Sequence, residues 1–159
     1  MARFDAQRYV KDFETAWNRN DPEALLQHFA ENVEFQDPLS PTPRRGREAA
    51  RENMRAWFGA FTEMEIRLVE SVVSDDRAAL LYQCTARHTG ELQIAPGERI
   101  PATNKRATVD LAEFDALDAQ GRIVRTRAMF DSGRLMQQLG LMPAAGSTQQ
   151  PPGRKPTSR

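Results

Sequence analysis

Residues 33–61 read VEFQDPLSPTPRRGREAARENMRAWFGAF, and this segment leads an apolar strand into a proline-rich turn with an aspartate at the junction. Val33, Phe35 and Asp37 alternate with polar neighbours, so a strand that buries the first two side chains also directs the Asp37 carboxylate inward. A carboxylate in an apolar interior has to be paired, protonated or used in chemistry. Asp37 is therefore the first candidate catalytic residue, and its simpler role is to start the turn at Pro38.

The same segment continues through the turn into a helix. Apolar side chains recur at helical spacing from Ala50 to Phe61, which indicates a helix with one buried stripe. Asn53 interrupts that stripe one turn before Trp57, either as a polar wall of a pocket or through a hydrogen bond within the core. We expect strand, loop and helix to form one corner of a pocket.

Periodicity divides the rest of the chain into helices first and long strands afterwards. The predicted helices cover residues 5–18, 22–29, 47–61 and 132–139, and the later predicted strands cover residues 64–74, 77–89, 105–114 and 122–130. Helices grouped before a run of strands indicate the α+β class. We expect a cone-shaped domain in which a curved antiparallel sheet is covered by the N-terminal helices.

Two sets of apolar residues indicate an inner and an outer surface of this cone. Tyr9, Phe13 and Trp17 recur every four residues in the first helix, so they share one face. The strand predicted over residues 77–89 is apolar on both faces, which a sheet with one solvated face would not need. We therefore expect a homodimer that forms through the outer face of the sheet.

Composition limits the class of partner. Twenty-two basic residues balance 22 acidic residues, so the chain offers no electrostatic footprint for nucleic acid or for an anionic membrane surface. We expect a small apolar substrate instead. A single cysteine and the lack of a long apolar run predict a cytoplasmic protein. His28 and His88 belong to no Cys/His cluster, so we expect no metal and no cofactor.

The predicted elements all fall within residues 1–143, which form one domain large enough for a single core. Residues 144–159 contain Pro, Gly, Ala, Ser, Thr, Gln and three basic residues, with no acidic and no large apolar side chain. A segment of this composition cannot offset the entropy of ordering. We expect it to be a disordered tail.

Several short strings, spread over residues 5–142, resemble those of known families. One set consists of Asn20-Asp21, Ala24-Leu25-Leu26, Asp37-Pro38, Pro43-Arg44-Arg45-Gly46 and Gly121-Arg122-Ile123-Val124, and a second set of His88-Thr89-Gly90 and LMQQLGLMP at residues 135–143. The first set resembles the ketosteroid isomerases and the second the SnoaL-type polyketide cyclases, both in the nuclear transport factor 2-like superfamily. The first half of the chain also resembles the epoxide-opening cyclases of polyether biosynthesis, which share this fold.

The resemblance implies an enzyme without a cofactor that moves protons on an apolar steroid- or polyketide-like carbonyl compound, as an isomerase or a cyclase. Asp37 matches the general base of the isomerases, and Asp110 in TVDLAEF matches the protonated acid of their oxyanion hole. Burial would raise the pKa of such an acid and keep it protonated. The other donor of the isomerase site is a tyrosine that aligns with Phe13, so Tyr9, one turn earlier, could replace it. An ion pair with a nearby arginine is the other interpretation of Asp110.

The related families imply two further candidate residues. Asp131 matches an aspartate that SnoaL-type cyclases use just before the last helix, and it is also a favoured helix N-cap. Arg127 matches the arginine of the last strand in limonene epoxide hydrolases, and Ala128 stands where their aspartate follows it.

One alternative function is an epoxide-opening cyclase or epoxide hydrolase of the polyether type. Another is a non-catalytic small-ligand-binding or assembly module on the same fold.

The residues that we expect to contact the substrate are those with apolar, aromatic or hydrogen-bonding side chains near this pocket. They are Tyr9, Phe13, Trp17, Phe35, Asn53, Trp57, Tyr82, His88 and Arg127. His88, near the end of its strand, could instead be solvated.

Overall fold

The computed structural model describes residues 3–143, without the side chain of Pro41. In chain order its elements are α1 (Ala6–Arg19), α2 (Glu23–Leu26), β1 (Phe29–Asp37), β2 (Ser40–Arg45), α3 (Arg47–Ala60), β3 (Phe61–Val73), β4 (Arg77–His88), β5 (Leu92–Ala95), β6 (Glu98–Ile100), β7 (Arg106–Leu117), β8 (Ile123–Phe130) and α4 (Ser132–Gln138). The tail expected to be disordered, residues 144–159, lies outside the described residues.

A curved, unclosed sheet of six strands forms the body of the domain, in the order β2-β1-β8-β7-β4-β3. This arrangement confirms the predicted α+β class. Most neighbouring strands are antiparallel, as expected, but β1 runs parallel to β8, with Phe35 opposite Thr126. The sheet is therefore mixed. Strands β5 and β6 form a separate hairpin within the loop predicted between β4 and β7.

Helix α1 begins and ends at capping residues that can be recognised in the sequence. The Asp5 carboxylate caps the first turn by accepting a hydrogen bond from the Arg8 backbone N–H at 3.0 Å, and Asn20 ends the helix in the left-handed conformation. Trp17 Nε1 donates to the Phe61 carbonyl at 2.8 Å, which ties the last turn of α1 to the start of β3. The aromatic face of α1 is thereby held over the sheet.

Two features of the first strand region differ from the predictions. Helix α2 has only four residues, because β1 already begins at Phe29, opposite Ile123 of β8. The proline-rich turn is a strand, β2, in which Arg44 pairs with Phe35. Prolines are tolerated there because β2 is an edge strand and half of its backbone N–H groups have no partner strand to meet.

The core lies between the concave face of the sheet and helices α1, α2 and α3. On β4, Ala78, Leu80, Tyr82 and Cys84 alternate with half-buried residues and point to this core. Among residues 3–143, no helix is both long enough and apolar enough to cross a membrane.

Candidate functional site

An apolar cavity of about 160 Å³ lies inside the cone, enclosed by the concave sheet, α1 and α3. Apolar and aromatic side chains form most of its wall. The wall also includes the polar side chains of Tyr9, Asp37, Asn53, Tyr82, Glu113 and Thr126. A largely apolar pocket with a few convergent polar groups is the usual form of a small-molecule site.

Seven of the nine residues expected to contact a substrate line this cavity. They are Tyr9, Phe13, Trp17, Phe35, Asn53, Trp57 and Tyr82. Their positions follow from the periodicity used to predict them: side chains on one face recur about every four residues in a helix and every two residues in a strand. The structure therefore brings them together on one cavity wall.

His88 and Arg127 do not line the cavity. His88 is fully buried, and its Nδ1 accepts a hydrogen bond from the Thr103 backbone N–H at 3.3 Å. Its ring packs against Phe61 with centroids 5.0 Å apart, and burial lowers the pKa of the imidazole. Both expectations for His88, a substrate contact or a solvated strand end, are therefore wrong. Arg127 is exposed on the convex face, opposite Phe114 of β7.

Asp37 stands at the mouth of the cavity, where it both starts the turn and lines the cavity wall. Its Oδ1 accepts the Leu39 backbone N–H at 2.8 Å, which starts the turn between β1 and β2. Its Oδ2 lies 3.4 Å from Asn53 Nδ2 and 3.4 Å from Trp57 Nε1. The turn bond fixes one oxygen, and the other faces two side-chain donors on the cavity wall.

Asp110 does not face the cavity, and this expectation was wrong. Its exposed side chain accepts a hydrogen bond from Gln83 Nε2 at 3.2 Å, across the convex surface between β4 and β7. The even-numbered residues of β7 in this region point outward, so Asp110 belongs to the opposite face from Leu111. Asp131 is also outside the cavity: it caps α4 by accepting the Arg134 backbone N–H at 2.8 Å.

Besides Asp37, the cavity wall contains a second carboxyl group, that of Glu113, which was not among the predicted residues. Only 5% of Glu113 is exposed. Its Oε1 accepts hydrogen bonds from Tyr9 Oη and Thr126 Oγ1, each at 2.9 Å, and its Oε2 accepts from Tyr82 Oη at 2.7 Å. Burial raises the pKa of Glu113, while the three hydroxyl donors act against that rise.

Asp115 lies two residues further along the same face of β7 and is 2% exposed. No described residue forms a hydrogen bond of ordinary geometry with either of its carboxyl oxygens, and the nearby Thr126 hydroxyl, which donates to Glu113, acts only to lower the pKa of Asp115. Burial raises the pKa of Asp115 well above its usual value, and the negative charge of Glu113 raises it further. Two carboxyl groups in one buried place do not both ionise readily, so burial favours a form of this pair in which one group keeps its proton.

Periodicity in β7 groups this pair with apolar residues, although it does not by itself show which face of the strand is buried. Val109, Leu111 and Leu117 follow every second residue, and Glu113 and Asp115 fall between them on the same face. Two acidic residues within an apolar period-two series are costly unless they serve a purpose. The match of TVDLAEF to the isomerase motif pointed instead to Asp110, which lies on the opposite face of the strand.

The arrangement can remove a proton at one position and supply one at another. Asp37 offers an oxygen at the mouth, and the Glu113 cluster offers a buried acid with two tyrosine hydroxyls at the cavity wall. Within residues 3–143, no three His, Cys, Asp or Glu side chains are grouped so that they could hold a metal ion.

Three solved structures illustrate what the fold is similar to. TsrD from Streptomyces laurentii is 24% identical, with 88% of this chain and 100% of that chain covered and a TM-score of 0.71. A candidate polyketide cyclase from Xanthomonas campestris pv. campestris is 20% identical, with coverages of 84% and 96% and a TM-score of 0.67. SalBIII, an epoxide hydrolase/cyclase-like enzyme in pyran ring formation in the polyether salinomycin, is 19% identical, with coverages of 80% and 92% and a TM-score of 0.60.

These likenesses establish the cone fold of the nuclear transport factor 2-like superfamily, as the sequence strings predicted. A comparison with curated protein sequences found no match. The SnoaL-like domain family matches residues 10–126, which is most of the described chain and includes Asp37 and Glu113. The chain therefore belongs to the SnoaL-like domain family.

Proposed function

We propose that the protein is an acid–base isomerase or cyclase that acts, without a cofactor, on an apolar carbonyl compound. One observation carries this proposal: a carboxyl group at the mouth, Asp37, and a buried carboxyl group held by three hydroxyl donors, Glu113, line the same apolar cavity. Membership of a family that includes SnoaL-like polyketide cyclases supports the same class of reaction.

Asp37 is the proposed general base. A substrate that places its α-carbon at the mouth brings a C–H proton to Oδ2, the oxygen that the turn bond leaves available. When Asp37 takes this proton, the electrons of the broken C–H bond move into the carbonyl group and form an enolate. In an isomerisation Asp37 returns the proton to the γ-carbon. In a cyclisation the enolate carbon attacks a second carbonyl of the same molecule, the electrons of that C=O bond move to its oxygen, and this alkoxide takes the proton from Asp37.

The cluster of Glu113, Tyr9 and Tyr82 is the proposed source of hydrogen bonds to the developing oxyanion. When Glu113 is protonated it can donate to one tyrosine oxygen, and that tyrosine hydroxyl is then free to turn toward the substrate oxygen. Tyr9 thus replaces the isomerase tyrosine, whose position Phe13 occupies in this chain. Burial raises the pKa of both tyrosines, so each stays protonated and remains a donor.

Asp37→Asn tests the base directly. The assay is conversion of 3-cyclohexenone into 2-cyclohexenone, a single-ring ketone, followed by the ultraviolet absorbance of the conjugated product. We expect kcat/KM to fall by about 100-fold or more, because the amide cannot accept the proton. Asp75→Asn, in an exposed turn, is the matched control and should match the wild type.

Full activity in Asp37→Asn would contradict the proposal. Binding of the ketone with no turnover in the wild-type protein would instead support the alternative of a non-catalytic ligand carrier.

Epoxide opening is a second candidate, favoured by the two buried carboxyl groups, Glu113 and Asp115, on one face of β7, because burial favours their protonated forms. In that reaction the cluster would give its proton to the epoxide oxygen as the C–O bond breaks. Asp37 would take a proton from the hydroxyl or water that attacks the carbon. Turnover of cyclohexene oxide, but not of 3-cyclohexenone, would favour this function over the first.

A further inference from the structure

A second cavity meets the first at the mouth of the cone. An outer groove of about 650 Å³ is bounded by α3, the β1–β2 turn and the β5–β6 hairpin. Asp37, Asn53 and Trp57 line both this groove and the inner cavity. The proposed base is therefore at the junction of two spaces and not at the end of one.

The sizes of the two spaces limit what each can hold. The inner cavity, at about 160 Å³, is comparable to an engineered cavity of about 150 Å³ that admits benzene. It accommodates about one ring. The outer groove, at about 650 Å³, is within the range of sites for drug-sized ligands. A substrate larger than one ring has to extend through the mouth and past Asp37 into the groove.

The chemistry of the outer groove differs from that of the inner cavity. Hydroxyl and amide side chains that can both donate and accept hydrogen bonds lie along it, namely Ser40, Thr42 and Gln93. Apolar side chains supply only about half of its wall, namely Leu39, Ala56, Trp57, Leu92, Ala95 and Pro96, whereas they supply nearly all of the wall of the inner cavity. The groove therefore suits a segment with oxygen atoms along its length better than a second hydrocarbon ring.

The charged residues of the groove are already paired with one another. Arg44 binds Glu52 at 3.1 Å, and Arg99 binds Glu91 at 2.8 Å. Arg44 is also held over the Phe35 ring, 5.5 Å from its centroid. With Asp37 added, the groove lining has three acidic residues against two arginines. A carboxylate or phosphate on the ligand would meet an excess of negative charge.

We infer that the substrate has two parts, an apolar unit of about one ring and a neutral, oxygen-rich segment such as a polyol, polyether or glycosyl group. The apolar part occupies the inner cavity and the oxygen-rich part occupies the outer groove. The inference rests on the proposed function where it places the reacting carbon at the junction, beside Asp37. The size and polarity of the two spaces do not depend on that function.

Binding of three matched probes, measured by titration calorimetry, tests the inference. Anisole is the ring alone, the phenyl ether of triethylene glycol adds a neutral oxygen-rich tail, and 6-phenoxyhexanoate adds an anionic tail. We expect the neutral tailed probe to bind about tenfold or more tightly than anisole. We expect the anionic probe to bind more weakly than the neutral tailed probe.

Ala95→Trp fills the groove and serves as the test variant. It should reduce the affinity for the neutral tailed probe to that for anisole, and leave the affinity for anisole unchanged. Gln120→Trp, in the β7–β8 turn at the opposite end of the cone, is the matched control and should leave both affinities unchanged.

Equal affinity for anisole and the neutral tailed probe would overturn the inference. Tighter binding of the anionic probe, or no binding of anisole and the neutral probe at millimolar concentration, would also overturn it. The readout is separate from the proposed function. If affinity depends on the tail but Asp37→Asn stays active, only the proposed function is contradicted. If affinity does not depend on the tail but Asp37→Asn is inactive, only the two-part substrate is contradicted.

Discussion

At the scale of single residues, Asp115 is the position where burial and polarity conflict most. It is 2% exposed, and no described residue forms a hydrogen bond of ordinary geometry with its carboxyl oxygens. Because burial raises its pKa, folding favours the protonated form. The stability this form contributes is fully present below the unfolded pKa, near pH 4, and is lost as pH rises through the raised pKa of the folded state.

Asp115→Asn should therefore stabilise the protein at neutral pH. Asparagine is similar in shape and uncharged at every pH, so the variant does not have to retain a proton in order to fold. We expect the free energy of unfolding in urea at pH 7 to rise by about 1–3 kcal/mol, and the difference to shrink toward pH 4. Asp75→Asn is the control. A variant less stable than the wild type at pH 7 would show that the ionised carboxylate is accommodated.

At the scale of elements, sequence periodicity identified the corner made by β1 and α3 because each element has one clearly apolar side. It did not identify the inward face of β7. Both faces of that strand carry apolar and acidic residues, Leu111 and Glu113 on one side and Asp110 and Ala112 on the other, so alternation alone cannot choose between them. Asp110, the catalytic acid expected from the family motif, consequently lies on the convex face and not in the cavity.

Strand β2 could not be predicted for a different reason. Pro41 and Pro43 argue against a strand interior, and only its position at the edge of the sheet makes two prolines acceptable. Such an edge is a property of the whole sheet. The strand is therefore visible in the structure and not in its local sequence.

The contact between the end of α3 and the segment just after β4 offers a test at this scale. Gly90 packs so closely that an added Cβ would lie 1.9 Å from the Gly59 carbonyl oxygen, a backbone atom. We expect Gly90→Ala to lower the free energy of unfolding by about 1–3 kcal/mol. In Gly59→Ala the added methyl meets nothing within 4 Å, so it should raise helix stability by up to about 1 kcal/mol. Equal effects of the two changes in urea unfolding would contradict this packing.

At the scale of the whole molecule, the convex face of the sheet carries exposed apolar side chains. Val72, Phe114 and Met129 are 66%, 54% and 49% exposed. Ala79 pairs with both Val72 and Phe114, so the apolar row continues across β3, β4 and β7. We propose that this face forms a homodimer, since a monomer rarely leaves such a surface in water.

Phe114→Arg should break this dimer. Sedimentation of the wild type at tens of micromolar should show twice the chain mass of 18.0 kDa, and the variant should sediment as a monomer, because the new charge would be buried in the interface. Met142→Arg, at a similarly exposed apolar residue after α4, is the control and should remain a dimer. A wild-type protein that is monomeric at this concentration would contradict the proposal.

The central claim is that the acid side of the site is the buried Glu113 cluster and not the outward-facing Asp110. The most direct test is kcat/KM for 3-cyclohexenone isomerisation in Glu113→Gln and Asp110→Asn. Glu113→Gln removes the carboxyl that Tyr9 and Tyr82 contact, so we expect a loss of about 100-fold or more, while Asp110→Asn should retain wild-type activity. A larger loss in Asp110→Asn than in Glu113→Gln would contradict the account.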